Sequence, residues 1–159
     1  MLIVVRHAEA GSKGSWAGPD LHRPLSPEGH DQAEGLVVRL DDYPVERILS
    51  SPAARCLQTV EPLARDRLLQ VEEVAALGVD ADAARVESLF VHPEAANVVL
   101  CTHGELIGRL FARLVPAGLA VEDPLLWPKG SAWLLWRTHR RLHARFVAPL
   151  ALDRRTYAG

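Results

Sequence analysis

Apolar residues follow two rhythms along this chain. Short unbroken runs, Leu2 to Val5 ("LIVV") and Asn97 to Cys101 ("NVVLC"), carry the β-branched character of strands buried on both faces. Val45 to Ser50 predicts a further strand, and Val71 to Val74 a short one. Between these runs the apolar positions recur at helical spacing. Ala33, Leu36, Val37 and Leu40 follow Ser26-Pro27-Glu28-Gly29, which predicts a helix with Ser26 as N-cap and Pro27 in its first turn. Ser51-Pro52 predicts another such start, for a helix reaching about Arg67. Further helices are expected over Asp82 to Val91, stopped by Pro93, and over Glu105 to Val115. Ser131 to Arg137 and Leu142 to Val147 read as two late strands flanking a turn at His139-Arg140-Arg141. Residues 8–25, broken by Gly11, Gly14, Gly18 and Pro19, read as a long loop. Strands alternating with helices predict an α/β domain on a mostly parallel sheet.

In open sheets of this kind ligands bind beyond the carboxyl ends of the strands. The first strand runs into Arg6-His7, the second into a helix carrying Arg55, and the third clear one into Thr102-His103-Gly104-Glu105. Each piece alone also has a plain structural reading, as polar termination or a solvated side chain. Together, at three strand ends, two arginines, two histidines and helix N-termini predict an anion site, most naturally for phosphate. A neutral imidazole is a competent nucleophile toward phosphorus, and arginines can neutralise the transferring oxygens without a metal. No cofactor is therefore expected.

Composition narrows the classes. The chain has 159 residues, 48% apolar and 24% charged, with a net charge of −2. That suits a single domain over residues 1–159, for which no linker or repeat argues otherwise. There is no basic surplus for a nucleic-acid partner. No apolar run approaches the ~20 residues of a membrane span. No leader pattern precedes the first strand, so a cytoplasmic protein with no membrane partner is expected. Two cysteines, Cys56 and Cys101, form no CxxC pair and read as reduced core residues. His22, His30, His92, His139 and His143 lack zinc-ligand spacing and read as surface residues. No self-complementary patch can be read from one chain, which leaves the oligomeric state open.

The segments "VVRHAEA", "RPLSPEG", "ILSSPAARCLQT" and "VVLCTHGELIGRL", in that order across residues 1–137, resemble the histidine phosphatase superfamily, also called phosphoglycerate mutase-like. The compactness resembles its SixA-type phosphohistidine phosphatases. "GSKGSWAG" and "WPKGSAWLL" are similar to the phosphatase-like domain appended to some bacterial Nudix hydrolases. The resemblance implies a three-layer α/β/α sandwich with a mostly parallel central sheet and a phosphohistidine intermediate on His7. It implies that Arg6 and Arg55 bind the phosphoryl group and that His103 donates to it. Arg23 falls where compact members carry an arginine, and either a substrate contact or a structural role fits it. Lys13, Thr102 and Gly104 are further candidates for substrate contact, and Lys129 could extend the positive rim. The expected partner is a phosphorylated substrate, either a phosphohistidine protein or a small phosphometabolite. A nucleoside di- or triphosphate, or a phosphate-binding module without turnover, are the alternatives.

Many members of the superfamily carry a glutamate general acid before the third strand. The corresponding stretch here, "VEEVAALGVDADAARV", offers Glu72 and, preferred to it, Glu73, Asp80 and Asp82, none in a convincing motif and each with a surface reading of its own. Without an acid, a good leaving group is favoured: a phosphoramidate or phosphoanhydride rather than a sugar phosphate. Trp133 alternates with Leu135 and is expected in the core. Trp16, in the long loop, is open to lid packing or to stacking on a base.

Overall fold

The structure, a computed structural model, describes residues 1–88, 97–139 and 141–152. Among them seven strands form one sheet in the order β3-β2-β4-β1-β6-β7-β5. The strands are β1 (Leu2–Arg6), β2 (Arg47–Ser50), β3 (Val71–Glu73), β4 (Val98–Thr102), β5 (Ala120–Val121), β6 (Ala132–Thr138) and β7 (Arg141–Val147). β3, β2, β4 and β1 pair in parallel, while β6 runs antiparallel to both β1 and β7. The helices are α1 (Pro27–Arg39), α2 (Ala54–Arg67), α3 (Ala83–Ser88) and α4 (Gly104–Leu114).

Alternation along each strand divides the core into two layers. Leu2 and Val4 of β1, with Leu100 of β4, pack toward Leu106, Ile107, Leu110, Phe111 and Leu114 of α4. Ile3 and Val5, with Val99 and Cys101, pack on the opposite face toward Leu36 of α1, Leu40 at its C-cap, and Val60 and Leu63 of α2. Side chains point to opposite faces with period two, so an apolar run with no polar break needs a helix layer on each side. Each fully buried Leu, Ile or Phe contributes about 1.5–3 kcal/mol. Trp133 is fully buried and tilts against Phe111 with ring centroids 4.8 Å apart, as its alternation predicted.

α1 begins as its sequence predicts. Ser26 Oγ accepts from Gly29 N (3.1 Å), Pro27 opens the helix, and Glu28 lies in the first turn. α2 does not begin at the expected cap. It starts at Ala54, Ala53 occupies the capping position, and no side chain caps it. The Ser51 hydroxyl instead meets a histidine ring, so that side chain serves the site rather than the helix. Gly29 is required by close approach, because a Cβ there would fall onto the Glu9 carbonyl. That contact holds α1 against the loop after β1, where Ser26 N and Oγ both donate to Glu9 O.

The loop over 8–25 contains two 3-10 turns, Lys13–Ser15 and Asp20–His22. β5 is absent from the sequence reading because two residues carry no period; its parallel pairing with β7 defines it, and it forms one edge of the sheet. Residues 89–91 of the expected third helix, with His92 and Pro93 beyond it, and Arg140 of the expected turn lie outside the described residues. Cys56 and Cys101 are both buried and free.

The register sets the site. Arg6 pairs with Thr102 and Ser50 with Cys101, so β2, β4 and β1 end level with one another. Backbone bonds carry the alignment one residue further: His7 N donates to Thr102 O (3.0 Å) and Ser51 N to Cys101 O (2.9 Å).

Candidate active site

The three strand ends open into one cavity of about 270 Å³, lined by Arg6, His7, Arg55 and His103 from the parallel strands and their helices. Lys13, Asp20, Arg23, Glu105 and Lys129 complete most of its wall. Five cations therefore face two carboxylates across a small space.

His7 is 5% exposed. Its Nδ1 lies 2.8 Å from Ala8 O. A carbonyl only accepts, so Nδ1 carries the proton and Nε2 keeps its lone pair. Burial first, then the charges of Arg55, His103 and Arg6, lower its pKa from 6.5 to about 3, against the raising effect of the Ala8 bond. The ring is thus held neutral with one free nitrogen.

His103, 2% exposed, stands edge-on to His7 with ring centroids 5.5 Å apart. Arg55 Nη2 donates to its Nδ1 (3.3 Å). Its Nε2 then bears the proton and donates to Ser51 Oγ (2.9 Å), with Cys56 Sγ at 3.7 Å. The sequence reading missed Ser51 because its position beside a proline fits a helix cap.

The arginines are held by the backbone and by Asp20. Arg6 Nη1 donates to Trp127 O (2.8 Å), and Arg55 Nη1 donates to Asp20 O (2.8 Å). Arg6 Nε and Arg55 Nε are buried with no acceptor among the described residues. Asp20 accepts from Arg23 Nε (2.9 Å) and Arg55 Nη2 (3.1 Å). Its carboxyl is held below the usual range, first by Arg23 and also by Arg55 and Lys13. Nothing in the sequence around Asp20 signals this bridge, which depends on loop closure.

The remaining expected residues divide. Arg23 lines the cavity but also clamps the loop, with Nη1 donating to Ala10 O (2.9 Å) and Gly11 O (3.2 Å). Lys13 is exposed at the rim, while Lys129 is paired with Glu9 (2.8 Å). Thr102 departs from the expected substrate contact: its buried hydroxyl donates to Leu77 O (2.6 Å), away from the cavity wall. Gly104 lies outside the cavity lining and leaves room for Arg6. A Cβ there would sit 2.9 Å from Arg6 Cζ and 3.0 Å from its Nε. Glu73, Asp80 and Asp82 are all exposed and outside the cavity wall; Asp82 caps α3 by accepting from Ala84 N (2.9 Å). Of the two carboxylates in the wall, Asp20 is paired with Arg23 and Arg55, while Glu105 has no hydrogen bond or ion pair on its side chain among the described residues.

A family model described as the histidine phosphatase superfamily (branch 1) matches residues 2–78, which hold Arg6, His7 and Arg55. The chain belongs to the histidine phosphatase superfamily. The fold agrees. The protein histidine phosphatase SixA complexed with tungstate superposes with a TM-score of 0.69 at 23% identity, covering 94% of this chain and 96% of that one. The alpha-ribazole phosphatase from Shigella flexneri, another protein with this fold, superposes with a TM-score of 0.66 at 18% identity, covering 91% and 94%. A curated relative, an 8-oxo-(d)GTP phosphatase of Mycolicibacterium smegmatis, is 34% identical over 139 residues, or 84% of this chain. The chain spans 43% of that relative's length. Among the described residues, no helix is long and apolar enough to cross a membrane.

Proposed function

We propose that this superfamily member is a phosphatase working through a phosphohistidine on His7, with residues 1–159 as one catalytic domain. The observation that carries the reading is His7 itself: a buried imidazole kept neutral, its Nδ1–H fixed on Ala8 O and its Nε2 free, in a cavity walled by arginines. Nε2 attacks phosphorus, the bond to the leaving oxygen or nitrogen breaks, and its electron pair departs with the leaving group. Arg6 and Arg55 neutralise the three phosphoryl oxygens as charge develops. His103, edge-on to His7 in the same wall, is the second imidazole facing the transferring group. Water then attacks the phosphorus, the P–N bond breaks, and neutral His7 is restored with free phosphate.

Glu105 is the group placed to hand a proton to a leaving oxygen and to take one from the attacking water. Its presence weakens the argument that a missing acid restricts the enzyme to phosphoramidates and anhydrides. The substrate is a phosphohistidine protein or a small phosphorylated metabolite. A nucleoside di- or triphosphate is the second reading, supported by the printed activity of the Mycolicibacterium smegmatis relative.

The test is phosphate release from a panel of phosphohistidine peptide, phosphoramidate, nucleoside di- and triphosphates, sugar phosphates and 3-phosphoglycerate. It is run with chelator, for the protein and for His7→Ala. Release that survives chelator, is lost in His7→Ala and leaves acid-labile phosphate on His7 during turnover supports the reading. Saturable phosphate binding with no release from any substrate would make the chain a binding module instead.

A further inference from the structure

Beside the catalytic cavity lies a second, shallower pocket of about 200 Å³, walled by Ser15, Trp16, Pro24 and Leu25 and meeting the first at Gly11 and Arg23. The largest side chain in its wall is the Trp16 indole. Trp16 is 38% exposed, unusual for so large an apolar side chain. Its orientation is nevertheless fixed. Nε1 donates to Pro19 O (2.9 Å), which uses the only polar atom of the ring. The chain closes against the indole at Gly18, where a Cβ would sit 3.2–3.4 Å from ring atoms. An aromatic surface held this way, with part of it open, presents a stacking platform that needs little ordering on binding.

We infer that this pocket receives the base of a nucleoside di- or triphosphate whose terminal phosphoryl group sits at His7. The inference rests on the phosphatase reading above and narrows its substrate class. The argument is what lies between the two pockets. The turn Lys13–Ser15 puts Lys13 on the catalytic wall and Ser15 on the Trp16 wall, and Arg23 belongs to both. A ligand reaching from His7 to the indole therefore passes the Lys13 ammonium and the Arg23 guanidinium, the latter also paired with Asp20. A phosphohistidine side chain carries its imidazole directly on phosphorus, with no anion to place there. A sugar phosphate offers no second anion and no planar ring. A nucleoside polyphosphate offers, in order, a phosphoryl group, an anionic tether and a flat heterocycle, which is the order of the walls.

The test compares a nucleoside diphosphate with inorganic pyrophosphate, which has the anhydride and lacks the base. Replacing Trp16 with Ala is expected to lower the ratio of kcat/KM for nucleoside diphosphate over pyrophosphate by about tenfold, within the range base–aromatic stacking supplies. The loss is expected mainly in KM, and Trp16→Phe should recover most of it. An unchanged ratio, or equal loss on both substrates, overturns the inference. If phosphate release persists in His7→Ala, or is absent from every substrate, the phosphatase reading fails instead. The pocket is then judged by calorimetric binding of the nucleoside diphosphate to His7→Ala protein. There Trp16→Ala should weaken Kd by a similar factor, and an unchanged Kd refutes the pocket.

Discussion

Replacing His7 with Gln should remove a specific pH dependence from the stability of the fold. Burial first, then Arg55, His103 and Arg6, take the His7 pKa from 6.5 to about 3 in the folded protein. The unfolded chain has neither burial nor fixed neighbours, so its His7 binds a proton as pH falls through about 6.5. The native state refuses that proton until near pH 3. The unfolded state is thus the better proton binder in this window, and the His7 contribution is fully present above pH 6.5 and lost as pH falls toward 3. Each pH unit in the window is about 1.4 kcal/mol, so the loss reaches about 3 kcal/mol at pH 4.5. Against a typical domain stability of about 5–15 kcal/mol, that is readily measured. The assay is urea unfolding of the protein and of His7→Gln at pH 7.5 and 4.5. Subtracting the two removes the carboxylates and the exposed histidines common to both. The stability of the protein relative to the variant should fall by about 2–3 kcal/mol between the two pH values. A difference that stays constant would show that His7 titrates normally in the fold, and the case for a pre-formed neutral nucleophile would fail.

Three other substitutions probe the wall of the cavity. Gly104→Ala should lower kcat/KM by about ten- to a hundredfold by displacing the Arg6 guanidinium, while the urea midpoint holds or rises, since Ala suits a helix better than Gly; full activity would show that Arg6 yields freely. Asp20→Asn should cost about 1 kcal/mol in urea unfolding. The same change frees two guanidinium groups, so product inhibition by phosphate should tighten while kcat falls; weaker phosphate inhibition would contradict the bridging role. Glu105→Gln should slow alkyl phosphates by about a hundredfold and a nitrophenyl ester much less, because only the poor leaving group needs the proton; equal losses on both would remove Glu105 as the acid.

Much of this arrangement could be read from the chain before folding. LIVV and NVVLC name their strands because residues buried on both faces leave no polar break. His7, Arg55 and His103 were legible as one group because each follows a strand, and parallel strands in one sheet deliver their carboxyl ends to one side. The carboxylates were not legible. Glu73, Asp80 and Asp82 lie in the expected stretch of chain, yet they stay in solvent or cap a helix. Glu105, two residues after His103, was passed over because it also suits the first turn of a helix.

The sequence by itself determined the alternation of elements, the two-faced sheet and the strand-end histidines and arginines, since these depend on periodicity and local order along the chain. Only the tertiary structure decided how those groups are used. Ser51 leaves its cap for His103, Asp20 bridges Arg23 and Arg55, Thr102 turns to Leu77, and Gly104 makes room for Arg6. Each of these contacts, except the Asp20–Arg23 pair, joins residues more than about twenty positions apart, and even that pair matters only through Arg55. Side-chain hydrogen bonds fall off within a few tenths of an ångström, and such distances are set by how the sheet register and the loop closure bring remote residues together.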